Sequence, residues 1–246
     1  MDKKIQKAKE YAALGALKFI KSGQTLGIGS GSTVEIFVKK LANVINTGVL
    51  KNINVIPTSY QVLEILSDLE IPIRDTWEKI NIDVTIDGAD EIDNNFNIIK
   101  GGGAALLREK IIAYNSKKYI IIADYTKFTD RLCSKSLIPL EVLPFAAKFV
   151  LKKLSNFGYA EIRYAKNKVG PIITDNGNLI IDFRPSEDFL KKTNLRDLDL
   201  FLKSIPGILE TGLFIEYADI IIKGLMNTYE IYNNVSTRRN KKILIA

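Results

Sequence analysis

The sequence predicts a doubly wound α/β protein with a mostly parallel sheet and a small α+β domain inserted in it. Three observations predict this class. Short apolar runs alternate with amphipathic helical patterns over residues 1–130, which is typical of right-handed β-α-β units. Several of these runs end abruptly in charged residues or glycine. Past about residue 130 the order becomes β-α-β-β-α-β, which predicts a split βαβ domain of the ferredoxin-like kind.

The first elements form one strand–loop–helix unit. Apolar positions at steps of three or four predict a helix over residues 3–20, and Thr25–Ile28 follows as a short strand. The loop Gly29–Thr33 is rich in glycine and serine, and we expect Ser32 or Thr33 to cap the next helix. A glycine-rich loop before a helix is a general phosphate cradle, because backbone N–H groups and the helix dipole face the anion.

The residues of this loop indicate which class of phosphate ligand it could bind. The letters G-I-G-S-G-S-T lack the third glycine of a dinucleotide fingerprint, and no G-K-[ST] ending follows. No acidic residue lies about 20 positions further on to hold a ribose. A small phosphate ester fits better than a nucleotide. A tight turn capped by hydroxyls explains the loop about equally well.

The following elements complete a Rossmann-like first domain over residues 1–130. Thr58 and Ser59 begin a helix that extends to about Leu69, and A-A-L-L-R-E-K-I-I-A-Y predicts a second strong helix. Apolar runs predict strands at Asn54–Pro57, Ile71–Arg74, Ile82–Ile86, Phe96–Ile99 and Lys118–Ala123.

The small domain is predicted over residues 131–210. Helices are expected at residues 145–154 and 195–204, with Asp175-Asn176-Gly177-Asn178 as the turn of a hairpin. Extended segments are expected between Pro139 and Pro144 and at Tyr159–Ala165, Ile172–Phe183 and Ile208–Phe214. Residues 211–246 then return to the first domain, with Ala218–Lys223 as its last buried strand.

The bulk composition limits the setting and the partners. No run of about 18 apolar residues is present, and the start of the chain lacks an apolar signal core. The single cysteine, Cys133, has no partner for an intramolecular disulfide. We therefore expect a reducing, cytoplasmic setting and no membrane partner.

The net charge of +7 raises the question of nucleic-acid binding. The lysines are spread along the chain, and their densest pairs fall on amphipathic helical patterns, as solvated faces do. Arg238-Arg239 with Lys241-Lys242 resembles a basic patch, and a solvated terminal segment explains it better. We expect no nucleic-acid partner.

The absence of histidine excludes whole classes of chemistry. A Ser-His-Asp triad, a Cys-His pair and any histidine-ligated metal are excluded. Acid–base catalysis near neutral pH must use Asp, Glu, Lys, Tyr or Cys. A site made of carboxylates alone stays open for a hard cation. Without a histidine to activate its thiol, Cys133 is expected to be inert.

The stretch from Ile82 to Lys110 concentrates the ionisable residues. In an open α/β sheet, ligands bind at the carboxyl ends of the strands, so Asp87, Asp90, Lys100 and Glu109 could converge on one small volume. The three glycines at 101–103 are costly in entropy between a strand and a strong helix, and they make sense if bare N–H groups line a pocket. This set predicts proton transfer on a small anionic substrate.

Each of these residues could also have a purely structural role. D-G-A-D alone is more typical of an Asx turn with solvated acids, and K-G-G-G-A-A would also suit a close-packed turn. Glu109, which we expect about two turns into its helix, could form a surface ion pair with Arg108, Lys110 or Arg131.

Five motifs occur in order and cover nearly the whole chain: G-x-G-S-G-S-T, D-G-A-D-E-I-D, K-G-G-G-A-A-L-x-R-E-K, T-D-N-G-N and I-P-G-I-x-x-x-G-L-F. These motifs, and their order, resemble those of type A ribose-5-phosphate isomerase. The resemblance implies interconversion of D-ribose 5-phosphate and D-ribulose 5-phosphate in the pentose phosphate pathway. It also implies that the enzyme needs no metal or other cofactor and is a homodimer or homotetramer.

The resemblance also implies roles for individual residues. Glu109 matches the general base, Asp87 and Asp90 the acids that handle ring opening and hydroxyl protons, and Lys100 the lysine beside the developing oxyanion. Substrate contacts are implied at Ser30, Gly31, Ser32, Thr33, Asp87, Gly88, Ala89, Asp90, Lys100, Gly101, Gly102, Gly103 and Lys127. Ser30 stands where threonine is common. The N-terminal lysine that helps to bind phosphate in some members has two candidates here, Lys4 and Lys7.

A metal-free proton transfer through an enediolate agrees with a chain that lacks histidine ligands for the divalent metals of a hydride shift. Two other classes stay open. One is another sugar-phosphate isomerase or lactonase on a similar scaffold, although such enzymes often use a histidine. The other is a sugar-phosphate sensor domain, which would be expected to carry a DNA-binding helix-turn-helix.

Overall fold

The computed structural model describes residues 2–167 and 169–234. The basic patch at residues 238–242 therefore lies outside the described residues. The chain forms two compact units. Among the described residues, the first consists of residues 2–89, 108–128 and 216–234, and the second of residues 90–107, 129–167 and 169–215. The small domain predicted at residues 131–210 falls within the second unit.

The first unit contains a six-stranded sheet. Its strands are β1 (Thr25–Ile28), β2 (Asn54–Pro57), β3 (Val84–Asp87), β6 (Tyr119–Asp124), β12 (Ile220–Gly224) and β13 (Tyr229–Asn233). They lie in the order β13-β12-β6-β3-β1-β2. Five strands of this sheet, β1, β2, β3, β6 and β12, pair in parallel, and β13 adds an antiparallel edge. The predicted doubly wound, mostly parallel sheet is confirmed.

This strand order has one topological switch point. The chain passes from β1 outward to β2 and then returns to the other side of β1 to form β3. Crevices that bind ligands in open α/β sheets lie at such a point, beyond the carboxyl ends of the two strands. The loops that follow β1 and β3 are therefore the expected edges of a site.

Helices α1 (Lys3–Leu17), α2 (Ser32–Asn46), α3 (Tyr60–Asp68) and α4 (Leu106–Asn115) alternate with these strands. In α2 the buried residues Val34, Phe37, Val38, Leu41 and Ala42 follow helical spacing and pack in the main core. Helix α1 approaches β12 so closely that a Cβ on Gly224 would lie 1.8 Å from the Ala8 carbonyl oxygen. Small residues on α1, such as Ala8 and Ala12, permit this approach.

The second unit contains a four-stranded antiparallel sheet in the order β10-β7-β9-β8. Its strands are β7 (Ile138–Val142), β8 (Gly158–Ile162), β9 (Leu179–Pro185) and β10 (Ile208–Thr211), and its helices are α5 (Ala147–Leu154), α6 (Glu187–Lys192) and α7 (Leu195–Lys203). This is the ferredoxin-like arrangement predicted for the small domain. A separate three-stranded sheet consists of β4 (Glu91–Ile92), β5 (Ile98–Ile99) and β11 (Leu213–Phe214).

Several predicted boundaries were wrong. Helix α1 ends at Leu17, before residue 20. The residue that caps α2 is Gly31, not Ser32 or Thr33; its φ of +104° turns the chain into the helix, and no side chain caps the first turn. Ile71–Arg74 forms only the single bridge Val55↔Ile73, because Pro72 lacks a backbone N–H to extend the ladder.

Two predicted strands of the small domain differ as well. The first arm of the predicted hairpin at Ile172–Phe183 is reduced to the bridge Ile173↔Leu179. The run Ile208–Phe214 divides into β10 and β11 at Gly212, where a Cβ would lie 2.2 Å from the Lys100 carbonyl oxygen. Strands β4 and β13 were not predicted. No helix among the described residues is long and apolar enough to cross a membrane.

Candidate active site

The loop after β1 lies against Asp87. Asp87 is the last residue of β3 and is fully buried. A Cβ on Gly29 would lie 1.9 Å from Asp87 Oδ1, so the loop can pass there only as glycine. The Gly29 N–H donates to the Ile86 carbonyl oxygen at 2.9 Å. The second glycine of the G-I-G-S-G-S-T motif, Gly29, is therefore required by close contact with a strand-end carboxylate.

The Asp87 carboxylate is held by donors on both oxygens. The Tyr119 hydroxyl donates to Oδ2 at 2.9 Å, and the Gly88 N–H donates to Oδ1 at 2.7 Å. Tyr119 is fully buried in β6, the strand next to β3. Asp87 is thus a buried, hydrogen-bonded carboxylate rather than the solvated acid of an exposed turn.

Glu109 lies in the first turn of α4, with 3% of its surface exposed. The prediction that it sits about two turns into the helix was wrong, because Ala104 has a φ of +60° and α4 begins only at Leu106. Its Oε1 accepts the Ser30 N–H at 3.2 Å. Burial at a helix N-terminus, where the dipole favours an anion, does not fit a surface ion pair. The loop at residues 29–30 therefore contacts both Asp87 and Glu109.

Hydroxyl and amide groups surround the same loop. Ser30 Oγ contacts Ser59 Oγ at 2.8 Å and Thr58 Oγ1 at 3.2 Å. The Gly31 N–H donates to Gln61 Oε1 at 3.3 Å. Gly31 and Ser32 are exposed, and Thr33 is partly buried in the first turn of α2. The start of α3 thus contributes polar groups that the sequence pattern had assigned only to a helix cap.

Lys9, which the sequence did not single out, contacts the glycine–serine loop. Its Nζ donates to Ser32 Oγ at 2.8 Å, and the side chain is largely buried. Lys4 and Lys7, the two candidates from the sequence, are exposed. A lysine on the buried face of α1, where the helical pattern calls for an apolar residue, is the signal that could have identified it.

Gly88 and Ala89 follow β3 and are partly buried. Lys127 ends the short 3₁₀ turn Tyr125–Lys127, which follows β6. The loops after β1, β3 and β6 thus carry predicted site residues at the carboxyl edge of the sheet.

The second unit holds Asp90, Lys100 and the glycines 101–103. Asp90 Oδ2 accepts the Gly102 N–H at 2.7 Å. Lys100 is 3% exposed, its backbone N–H donates to the Gly212 carbonyl oxygen at 2.9 Å, and its Nζ lies 5.6 Å from the centre of the Phe214 ring. Strand β11 therefore fixes Lys100, and Asp90 fixes the glycine loop.

Comparison with known proteins decides the family. The sequence model of a family described as ribose 5-phosphate isomerase A (phosphoriboisomerase A) matches residues 54–227. A ribose-5-phosphate isomerase A of Pyrococcus horikoshii is 43% identical over 221 residues, which are 89% of this chain and 95% of that protein. A ribose-5-phosphate isomerase of Dictyostelium discoideum is 41% identical over 226 residues, covering 89% and 94%.

The chain belongs to the ribose 5-phosphate isomerase A family. Solved structures of this family share its fold. A D-ribose-5-phosphate isomerase in complex with phospho-erythronic acid matches with a TM-score of 0.88 and 41% identity, over 93% of this chain and 99% of that one. A ribose 5-phosphate isomerase A from Methanocaldococcus jannaschii matches with a TM-score of 0.86 and 34% identity, over 93% and 99%. The protein is thus an isomerase by family and by fold.

The described side chains do not form a metal site. Within residues 2–167 and 169–234, no group of three or more cysteine, aspartate or glutamate side chains is arranged to hold a metal ion. The sequence of this chain predicts proton transfer, and the buried carboxylates of Asp87 and Glu109 are groups suited to it.

Proposed function

We propose that this protein interconverts D-ribose 5-phosphate and D-ribulose 5-phosphate by proton transfer through an enediolate. The observation that carries the proposal is the position of Glu109, buried at the start of α4 and hydrogen-bonded to the Ser30 N–H. A carboxylate in this position lies beside the glycine–serine loop, at the switch point of the sheet, and this supports its role as the base. The enzyme needs one base there and no histidine.

Glu109 is the base in this proposal. Moving a proton between C2 and C1 on one face of the substrate requires one group that reaches both carbons, and a carboxylate ionised at neutral pH can do so. Such a base contributes about 10²–10⁴-fold to the rate, which corresponds to about 3–5 kcal/mol of barrier.

The loop at residues 29–33 binds the phosphate in this proposal. Its support is the start of α2, where no side chain caps the first turn, so that N–H groups and the helix dipole are available to an anion. The Lys9 ammonium, which donates to Ser32 Oγ, adds a positive charge. Ser32 and Thr33 contribute N–H and hydroxyl donors. Ser30 and Gly31, whose N–H groups bind Glu109 and Gln61, shape the loop around the phosphate.

Asp87, Asp90 and Lys100 act on the sugar oxygens. Asp90 follows Asp87 by three residues, and Gly103 precedes Glu109 by six, so we propose that both groups of residues serve one substrate. Lys100 and the glycine N–H groups stabilise the enediolate oxygen, which is where charge develops. Gly88, Ala89 and Lys127 complete the contacts. Asp87 and Asp90 handle the ring-opening and hydroxyl protons.

The first experiment is turnover of D-ribose 5-phosphate in D₂O by the purified protein. Proton transfer through an enediolate predicts that solvent deuterium appears at C1 of the ketose, as followed by NMR. Transfer of hydrogen without any solvent exchange would contradict the mechanism. Turnover of glucosamine 6-phosphate in preference to ribose 5-phosphate would favour the other isomerase class, and binding without turnover would favour a sensor.

The second experiment is Glu109→Gln. We expect kcat to fall by at least about two orders of magnitude, because a carboxamide cannot accept the proton. Phospho-erythronic acid, which a related isomerase binds, should still bind. The matched control is Glu35→Gln, a glutamate in the first turn of α2 that is paired with Lys39 on the surface. Near-wild-type turnover by Glu109→Gln would contradict the proposal that Glu109 is the catalytic base.

We further propose that the active enzyme is a cytoplasmic homodimer or homotetramer. Its support is the family resemblance and the single cysteine. Light scattering coupled to size-exclusion chromatography would measure the assembly, and a monomer at micromolar concentration would contradict it.

A further inference from the structure

Arg163 has no role in the mechanism above, yet its guanidinium contacts the glycine loop. Arg163 follows the last residue of β8, and its side chain is 16% exposed. Its Nε donates to Asp182 Oδ2 at 2.7 Å, and its Nη2 donates to Asp182 Oδ1. Its Nη1 donates to the carbonyl oxygens of Gly101 at 2.8 Å and Gly102 at 3.0 Å. Asp182 thus orients one side of the guanidinium, and the other side binds the loop.

One peptide group is held from both ends by this arrangement. The Gly101 carbonyl and the Gly102 N–H belong to the same peptide, and in a trans peptide they point in opposite directions. Arg163 Nη1 binds the carbonyl, while Asp90 Oδ2 accepts the N–H at 2.7 Å. The orientation of Asp90 is therefore coupled to Arg163 through a single peptide plane.

The next peptide is oriented by the same nitrogen. Arg163 Nη1 also binds the Gly102 carbonyl oxygen, so the Gly103 N–H on that peptide points away from the guanidinium. Gly102 and Gly103 are both exposed. The Gly103 N–H therefore lies on the face of this exposed loop tip that is opposite the guanidinium.

The loop needs such a restraint because it has no side chains of its own. Gly101 is packed at the base, where a Cβ would lie 2.7 Å from Leu106 Cδ2 and where φ is +104°. A Cβ on Gly103 would meet nothing within 4 Å. Glycine has the largest conformational freedom of any residue, so the tip depends on contacts to its backbone.

We propose that Arg163, oriented by Asp182, is a positioning residue that sets the glycine loop and Asp90 for catalysis. This inference rests on the proposed function, in which Asp90 and the Gly103 N–H contact the substrate. A planar guanidinium can bind two carboxylate oxygens and two carbonyls in fixed directions, whereas a lysine ammonium supplies the charge without that geometry. The identity of the residue as arginine should therefore matter more than its charge.

The test is Arg163→Lys compared with wild type in kcat, KM and melting temperature. We expect kcat to fall about 10- to 100-fold, with KM changed less than about threefold, because the loop acts mainly in the transition state. Amide exchange of Gly102, followed by NMR, should accelerate at least tenfold, since its bond to Asp90 weakens. The control is Arg131→Met, which removes an exposed ion pair with Glu187 in the same unit and should change kcat less than twofold.

A kcat of Arg163→Lys within threefold of wild type, or unchanged Gly102 exchange, would overturn the proposal. If Arg163→Lys loses its fold, Asp182→Asn provides the second variant, because it keeps Arg163 and removes only its orienting charge; kcat should then fall about three- to tenfold. The proposed function fails separately, through absent turnover of ribose 5-phosphate by wild type or through an active Glu109→Gln. The Gly102 exchange rate reports on Arg163 in either case.

Discussion

The Tyr119 hydroxyl donates a 2.9 Å hydrogen bond to Asp87 Oδ2, and both side chains are fully buried. The two residues stand on neighbouring strands, β6 and β3, and are 32 positions apart in the sequence. Asp87 was predicted from its place at a strand end. Its buried tyrosine partner was not, because a tyrosine inside an apolar run is indistinguishable from an ordinary core aromatic.

We predict that Tyr119→Phe lowers kcat about tenfold and destabilises the fold by about 1–3 kcal/mol, since it removes one hydrogen bond to a buried carboxylate. Steady-state kinetics and urea unfolding would measure both effects. Tyr114→Phe is the control, because Tyr114 is 70% exposed. Equal kinetics for the two variants would show that the Tyr119 hydroxyl does not act on Asp87.

Lys9→Met should raise KM for ribose 5-phosphate by about 10- to 100-fold, because one charge-assisted hydrogen bond to phosphate is worth about 1.5–3 kcal/mol. Its matched control is Lys7→Met on the exposed side of α1, which should leave KM within about twofold. Measuring KM at two salt concentrations adds a check. Because salt screens the charge of Lys9, added salt should raise KM more in the wild type than in Lys9→Met. A larger increase in KM for Lys7→Met than for Lys9→Met would contradict the role of Lys9 and favour Lys7, one of the two candidates from the sequence, as the phosphate contact.

We expect the contribution of Asp83 to the free energy of unfolding to depend on pH. Burial raises the pKa of Asp83, but hydrogen bonds from Lys117 Nζ and the Thr25 N–H outweigh it, so this pKa lies below its ordinary value of 3.8. A lowered pKa stabilises the fold above the unfolded value, and this contribution is lost as the pH falls through the folded value. Asp83→Asn should thus cost about 1 kcal/mol at pH 7 and less below about pH 4.

Urea unfolding at several pH values would measure this difference. Glu35→Gln, which removes the exposed pair with Lys39, should cost only about 0.2–0.5 kcal/mol. A cost for Asp83→Asn that is the same at pH 3 and pH 7 would contradict the assignment.

Cys133 should resist alkylation in the folded protein. Burial and the nearby Glu91 carboxylate raise the pKa of its thiol to about 12, so at pH 8 the thiolate is about 10³-fold scarcer than in the unfolded chain. A time course with iodoacetamide, with and without urea, measures the ratio. Rapid labelling of the native protein, with loss of activity, would give Cys133 a role that neither the sequence nor the structure assigns.

Activity should survive exhaustive treatment with a chelator. The chain has no histidine, and the described residues offer no cluster of acids or cysteine arranged to hold a metal. The assay is turnover of ribose 5-phosphate before and after dialysis against the chelator. Inactivation that added divalent metal reverses would contradict a metal-free proton transfer.

Local sequence signals were enough to predict the α/β layers of the fold and the residue types available for catalysis. Strands β1 and β2 have the predicted boundaries, since apolar runs bounded by glycine and polar residues are local signals. The absence of histidine left Asp, Glu, Lys, Tyr and Cys for acid–base catalysis, and the residues near the strand ends favoured the carboxylates and Lys100 among them. Predicted boundaries failed where a positive φ or a close backbone approach decided them, as at Gly31, Ala104 and Gly212.

The contacts between distant side chains could not be predicted from local sequence and are seen only in the folded chain. Glu109 contacts Ser30 across 79 positions, and Arg163 reaches Gly101 across 62. Hydrophobic periodicity shows which face of an element is buried, but it does not show which polar group that face contacts. Those contacts depend on the order of strands in the sheets and on the direction of each side chain, and local sequence specifies neither.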